Sequence, residues 1–321
     1  MDISYLLTLQ DLRMSLPGFV ETILEYYSKI GDGPILAVLV LVVYWCVSKR
    51  AGQFALIAFA SCNFISQLLK NILCVYRPWI RDTAIIPAQG SIEGAAGYSF
   101  PSGHTTGTGS ALGSFAWYAR KEHKWVTVVC AIAILLMMFS RNFLGVHTPQ
   151  DVLVGLVLAI VMIAVANVFL KWIDRCDREK PGHNKDIIVM VIVLVVCAAS
   201  VAFVDLKAYP MDYVNGALLV DPEAMQKGSF EAAGLFAGAV IGWVLERRLV
   251  GFTTDNLTKR MVGIRFVVGI IIFGGAYLGF DVLFKAIMPY NWAKLCAMLI
   301  VAIVAVFVVP LVFNRIEKRK K

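Results

Sequence analysis

The segment SRNFLGVHTPQD, residues 140–151, places an arginine, a histidine and an aspartate directly after a long apolar run. His147 and Asp151 are four residues apart, so the carboxylate can reach back to the imidazole if a helix begins between them. Thr148 as N-cap and Pro149 as first helical residue predict that start. A carboxylate on one imidazole nitrogen fixes the tautomer and leaves the other nitrogen free as a nucleophile.

Two further polar stretches lie at the ends of predicted helices. Lys70 and Arg77 are seven residues apart, two helical turns, which predicts that they share one helix face. Ser102, Gly103 and His104 precede an apolar helix that Ser102 can cap. Gly103 lets the backbone approach a ligand closely, and the free N–H groups of the helix start favour an anion.

These residue types together predict a phosphoryl-transfer site. Arg141 offers a planar guanidinium suited to two phosphate oxygens. One histidine can attack phosphorus while the other protonates the departing oxygen. Catalysis of this kind depends mostly on positioning and charge stabilisation. The sequence has no carboxylate cluster for a metal ion, so we expect a metal-free site without a cofactor.

Three motifs resemble, in order and spacing, the signature of the type-2 phosphatidic acid phosphatase and vanadium haloperoxidase superfamily, in its integral-membrane branch: Lys70-x6-Arg77-Pro78, Pro101-Ser102-Gly103-His104, and Ser140-Arg141-x5-His147-x3-Asp151. The resemblance covers about residues 55–170. It implies that His147 forms a phosphohistidine, that Asp151 orients it, and that His104 is the general acid and then the base for water. It also implies that the phosphate is held by Lys70, Arg77, Ser102, Gly103 and Arg141.

The composition indicates an integral membrane protein. Of 321 residues, 59% are hydrophobic and 16% are charged, and the mean hydropathy is +0.73. Soluble domains carry about 25% charged residues, and the low charge also argues against a nucleic-acid partner. A membrane span needs about 20 apolar residues. Nine segments qualify, some of them short: 33–48, 53–75, 104–120, 124–143, 149–173, 186–204, 229–246, 263–287 and 292–313.

We therefore predict an all-α fold, a polytopic bundle of transmembrane helices. Residues 1–30 are expected to form an N-terminal interfacial amphipathic segment broken at Pro17. Residues 31–204 are expected to form a six-helix phosphatase core, and residues 205–321 a C-terminal extension of three membrane helices. Nine spans are similar to the glucose-6-phosphatase arrangement.

The basic residues predict the orientation of these spans. Twenty of the thirty Lys and Arg residues fall in one set of loops, which is therefore expected to be cytoplasmic. The N-terminus and the candidate site then face the opposite side. We expect a bacterial plasma membrane with the site facing outside, or the ER membrane with a luminal site in a eukaryote.

The expected function is hydrolysis of a lipid phosphate or pyrophosphate ester at the extracytoplasmic face. A phospholipid or isoprenoid phosphate would be the substrate, and phosphatidic acid, lysophosphatidic acid, sphingoid-base phosphates and polyprenyl phosphates all remain open. The alternatives are a phosphatase for a soluble ester such as a sugar phosphate, and a lipid-phosphate binder or transporter without catalysis. A vanadate-dependent oxidase is disfavoured because those relatives are soluble. A homodimer is left open.

The last three spans carry two local patterns. Gly234, Gly238 and Gly242 form a stripe of small residues, which predicts close helix packing. Asp281 and Lys285 are four residues apart on a helix and are expected to form an ion pair.

Overall fold

Long apolar segments must satisfy their own backbone hydrogen bonds in lipid, which favours helices. The computed structural model describes residues 2–95, 97–214 and 217–318, and nearly all of its regular structure is helical. Helices α1 to α13 are Asp2–Ser15, Gly18–Ile30, Gly33–Val42, Lys49–Leu73, Pro78–Arg81, Gly103–Ala119, Lys124–Phe143, Pro149–Glu179, Lys185–Leu206, Pro222–Leu245, Lys259–Lys285, Tyr290–Ile303 and Val309–Lys318. The predicted all-α membrane fold is confirmed.

Short irregular elements complete the chain. π-helical turns continue α3, α10 and α12 at Val43–Val47, Glu246–Val250 and Val304–Val308. Two 3-10 turns, Gln89–Ser91 and Glu93–Ala95, lie in the loop between α5 and α6. In the loop between α9 and α10, the two-residue strands Tyr213–Val214 and Ala217–Leu218 pair antiparallel.

Seven of the nine predicted spans correspond to helices that are long and apolar enough to cross a membrane. The other two predicted spans, 33–48 and 104–120, are short. Helix α6 has 17 residues, and α3 meets the criteria only when it is joined to α2 as one span bent by 56°. The predicted break at Pro17 is found, since α1 ends at Ser15 and α2 begins at Gly18. An interfacial location for residues 1–30 remains a prediction.

The two ends of the bundle carry different polar contacts. At the end predicted to be cytoplasmic, Lys49 Nζ lies 2.7 Å from Glu246 Oε1, and Arg265 Nη2 lies 2.6 Å from Glu317 Oε1. The predicted pair at the opposite end is confirmed, with Lys285 Nζ 2.6 Å from Asp281 Oδ2. The basic partners Lys49 and Arg265 both belong to the loops predicted to be cytoplasmic, and the orientation itself remains a prediction.

The glycine stripe on α10 allows close packing against α12, as predicted. A Cβ at Gly238 would lie 2.2 Å from the carbonyl oxygen of Leu299, and a Cβ at Gly234 would lie 2.2 Å from that of Leu295. Both distances are far below van der Waals contact, and both neighbours are backbone atoms. The extension therefore depends on small residues along this face.

We predict that Gly238→Ala destabilises the extension by about 1–3 kcal/mol, because the new methyl group must push α12 away. Thermal unfolding in detergent, followed by circular dichroism, should show a lower Tm. Gly263→Ala on α11 is the matched control, since a Cβ there meets nothing within 4 Å. Equal melting of both variants would contradict the assigned packing.

Candidate active site

A cavity of about 240 Å³ lies at the end of the bundle opposite the predicted cytoplasmic side. Its walls come from α4, α6, α10, the turn between α2 and α3, the loop before α6 and the loop between α7 and α8. Five of the eight predicted site residues line it: Lys70, Arg77, Gly103, His104 and His147. Both predicted catalytic imidazoles thus face the same space.

Lys70 and Arg77 reach this cavity by a route that differs from the predicted one. Helix α4 ends at Leu73, and Cys74 follows in the left-handed conformation with φ 49°. Arg77 therefore stands after the turn, as the residue before α5, and the prediction of one shared helix face was wrong. Both cations still converge, because the turn folds Arg77 back over the helix end.

Backbone carbonyls of the loop before α6 hold both cations. Lys70 Nζ donates to the carbonyl oxygen of Tyr98 at 2.5 Å, and Arg77 Nε donates to that of Gly97 at 2.9 Å. Lys70 and Arg77 are only 5% and 4% exposed. Because carbonyl groups are neutral, they satisfy the donors without cancelling the positive charge. That charge remains available to an anion in the cavity.

His147 is oriented by Asp151 as the sequence predicted. Its Nδ1 lies 3.3 Å from Asp151 Oδ2, and its Nε2 lies 2.8 Å from Arg77 Nη1. Since the arginine can only donate, the geometry fits a neutral ring with its proton on Nδ1 and a lone pair on Nε2. Burial, together with the charges of Arg77, Arg141 and Lys70, holds the pKa of His147 well below its usual 6.5.

The carboxylate of Asp151 is itself fixed by a helix start. It accepts from the backbone N–H of Thr148 at 2.8 Å, while the Thr148 hydroxyl accepts from the backbone N–H of Asp151. This reciprocal capping box confirms the predicted start of α8 at Pro149. Ser99 also donates to Asp151 Oδ2, at 2.6 Å. The carboxylate of Asp151 therefore cannot swing away from the imidazole without also losing two hydrogen bonds, from the Thr148 backbone N–H and from Ser99.

His104 has a carboxylate of its own, which sequence reasoning missed. Its Nε2 lies 3.1 Å from Oδ1 of Asp32, in the turn between α2 and α3. Gly31 makes this approach possible, because a Cβ there would lie 2.9 Å from His104 Cδ2. The sequence did offer one signal for Asp32, since this carboxylate lies between two glycines just before the first apolar span. Its long-range partner was not visible in the sequence.

Arg141 and Ser102 stand behind the cavity wall. Arg141 is 1% exposed and donates from Nη1 to Ser28 Oγ, whereas its Nε and Nη2 are buried without a hydrogen-bond partner among the described residues. Unpaired buried donors are costly, so we expect these two to bind a ligand.

Ser102 caps α6 as predicted, and its hydroxyl accepts from the backbone N–H of Thr105. The backbone N–H of Ser102 donates to the carbonyl oxygen of Asp151, and this bond joins the starts of α6 and α8.

Within residues 2–95, 97–214 and 217–318, no group of three His, Cys, Asp or Glu side chains forms that could hold a metal ion. The site brings together two imidazoles, three carboxylates and three buried cations: His104 and His147, Asp32, Asp151 and Glu231, and Lys70, Arg77 and Arg141. This set can bind a phosphoryl group and move protons on either side of it.

Two parts of the chain match known families. Residues 51–175 match the PAP2 superfamily, and residues 230–321 match the transmembrane extension of PAP2 superfamily phosphatases. The first match contains all eight predicted site residues, and the second begins in α10, which lines the cavity. No solved structure matches.

Three curated proteins are similar over parts of their length. Lipid phosphate phosphatase delta of Arabidopsis thaliana is 20% identical over 46% of this chain and 38% of its own length. Phosphatidylglycerophosphatase B of Haemophilus influenzae is 39% identical over 25% of this chain and 35% of its own. The bacitracin transport permease protein BcrC of Bacillus licheniformis is 30% identical over 48% of this chain and 68% of its own. The chain thus spans just over a third of the first two proteins.

We predict that Arg141→Gln weakens binding of inorganic orthophosphate about 10- to 100-fold, because a charge-assisted fork of donors is lost. Isothermal titration of the purified protein measures the change. Arg81→Gln is the matched control, since Arg81 lies at the same end but is exposed and is paired with Asp2 at 3.0 Å. Equal weakening in both variants would mean that general surface charge, and not this fork, binds the anion.

Proposed function

Because the chain belongs to the PAP2 superfamily, we propose that it is an integral-membrane phosphatase that hydrolyses a lipid phosphate or pyrophosphate ester. The observation that carries this proposal is the pair of imidazoles on one cavity, each next to its own carboxylate, with cations around them. A site that only bound phosphate would need the cations but not two oriented imidazoles.

The geometry supports a two-step mechanism. Phosphate oxygens draw Arg77 away from His147, which frees the lone pair on Nε2 to attack phosphorus in line with the leaving oxygen. The phosphorus–oxygen bond of the ester breaks, and His104 gives its proton to the departing oxygen. In the second step His104 takes a proton from water, which attacks the phosphohistidine and releases phosphate. Lys70, Arg77, Arg141 and the N-terminus of α6 stabilise the charge that develops on the phosphoryl oxygens.

The membrane setting supports a lipid as substrate. The cavity lies at one end of the bundle, where the head group of a lipid can enter while its chain stays among the helices. Phospholipid and isoprenoid phosphates both satisfy this requirement. The excess of Lys and Arg in the opposite loops supports an extracytoplasmic site, facing outside in a bacterial plasma membrane or, in a eukaryote, facing the lumen of the ER. A division into an N-terminal segment, a six-helix core and an extension, and a homodimer, remain predictions.

A binder or transporter is the second candidate, because one similar protein is named a transport permease. Such a protein would hold a lipid phosphate among the same three cations, Lys70, Arg77 and Arg141, without breaking the ester.

Metal independence is also part of the proposal. Phosphate release that persists in EDTA is expected, and loss of activity on chelation with recovery on adding a divalent ion would overturn this part.

We predict that His147→Ala lowers phosphate release from lipid phosphates by on the order of 10⁴-fold or more, because the nucleophile is removed. Reconstituted protein is assayed against a panel of lipid and sugar phosphates. His123→Ala is the control, since His123 is exposed at the start of α7, and it should behave as wild type. A His147→Ala protein that retains function would favour the binder or transporter.

We predict that Asp32→Asn slows hydrolysis of alkyl phosphates about tenfold or more, because His104 loses the carboxylate that positions it as an acid. A nitrophenyl phosphate needs no protonation of its leaving oxygen, so the burst of nitrophenolate in the first turnover should stay near the wild-type rate. Asp205→Asn, at the exposed outer end of α9, is the control. If alkyl and nitrophenyl esters slow equally in the burst phase, Asp32 has a general structural role instead.

A further inference from the structure

The C-terminal extension contributes directly to the wall of the catalytic cavity. Gly228 and Glu231, both on α10, line it together with Lys70, Arg77 and the two histidines. Gly228 packs closely enough against α4 that a Cβ there would lie 2.6 Å from Gln67 Oε1. The extension is therefore part of the site and not a separate membrane anchor.

A second cavity of about 130 Å³ continues from the first. The two share five lining residues, Gly33, Pro34, Phe59, Asn63 and Glu231. Beyond this junction the walls are almost wholly apolar and come from α3, α4, α10, α11 and the α12 region. We call this second cavity the chain groove.

The chain groove reaches the outer surface of the bundle. Ala37, Leu235, Phe273, Tyr277 and Met298 line it and are all partly exposed. In a membrane protein that surface faces lipid, so an apolar chain can pass from the bilayer into the groove without crossing water. Because the two cavities share five lining residues, a molecule with its phosphate in the catalytic cavity can place its chain in the chain groove.

Glu231 lies at the junction between the catalytic cavity and the chain groove, and its negative charge is unfavourable next to a phosphate. A carboxylate beside an anion repels it, and this costs affinity unless a donor lies between them. Lys294 Nζ compensates only in part, since it lies 3.4 Å from Glu231 Oε1 and is closer, at 2.8 Å, to Asp281 Oδ1. The side chain of Glu231 is one-third exposed.

We propose that Glu231 and the chain groove form a subsite that selects the substrate. It takes a lipid monophosphate whose backbone carries a donor, an ammonium or a hydroxyl, next to the phosphate ester. The chain lies in the chain groove, the phosphate lies in the catalytic cavity, and the donor lies against Glu231. A plain alkyl or polyprenyl phosphate has nothing to offer the carboxylate and is disfavoured by its repulsion. This subsite rests on the proposed phosphatase function.

The experiment compares two matched probes, hexadecyl phosphate and 2-aminohexadecyl phosphate, with the protein in detergent micelles. Wild type should have a kcat/KM at least tenfold higher for the amino probe. Glu231→Gln should bring the ratio close to one, mainly through the amino probe, while hydrolysis of hexadecyl phosphate is unchanged or faster. A third probe, 2-hydroxyhexadecyl phosphate, separates recognition of charge from recognition of any donor.

Asp281→Asn is the matched control, because it removes the other carboxylate bound to Lys294 but does not line either cavity. It should leave the ratio of the two probes unchanged. If Glu231 only stabilises Lys294, both variants lower Tm and neither alters the ratio, and the subsite proposal is overturned. If wild type hydrolyses neither probe nor any other lipid phosphate, the proposed function itself fails.

A second variant tests the chain groove. Met298→Trp fills it from the α12 side and should lower kcat/KM about tenfold for the hexadecyl probe but less than twofold for butyl phosphate. Ile271→Trp, on the outward face of α11, is the control, since Ile271 is 67% exposed. Equal loss with the long and the short probe, or no loss with either, would show that the chain lies elsewhere.

Discussion

Three buried cations at one end of a membrane bundle are the constraint around which this site is built. Removing Lys70, Arg77 and Arg141 from water is costly, and like charges close together add to that cost. The loop before α6 offsets part of the cost with backbone carbonyls, which bind the cations but leave their charge intact. Among the described residues, Nε and Nη2 of Arg141 have no hydrogen-bond partner, so the offset is incomplete. Under the proposed function, a bound phosphate supplies the missing partners.

Helix ends provide the scaffold for this charge. Helices α4 and α7 end at the site with Lys70 and Arg141 in their last turns, where the helix dipole favours cations. Helices α6 and α8 begin there, and their capped N-termini favour an anion. A backbone hydrogen bond from Ser102 to Asp151 fixes these two starts relative to each other. Alternating span direction thus brings both kinds of helix end to one level of the membrane.

The two imidazoles are held in unlike surroundings. His147 is 1% exposed, and its carboxylate partner is held by a capping box. Its contacts with Asp151 and Arg77 fit a neutral ring with a lone pair on Nε2. His104 contacts Asp32, which is partly exposed in a turn between two helices bent by 56°. A rigidly held imidazole and a more accessible one suit the proposed reaction, in which His147 attacks phosphorus and His104 meets first the leaving group and then water.

The sequence by itself determined the membrane class, the helical fold, the caps at Ser102 and Thr148, and the contact of His147 with Asp151. These features follow from local spacing and from the requirement that backbone in lipid bonds to itself. Only the tertiary structure decided that Arg77 reaches the cavity through the turn at Cys74, that Asp32 binds His104, and that Glu231 of the extension enters the wall. Such contacts join residues far apart in the chain, and no local pattern encodes them. Their positions depend on how the helices pack. That packing, including the close approach at the glycine stripe on α10 and the bend between α2 and α3, is set only by the tertiary structure.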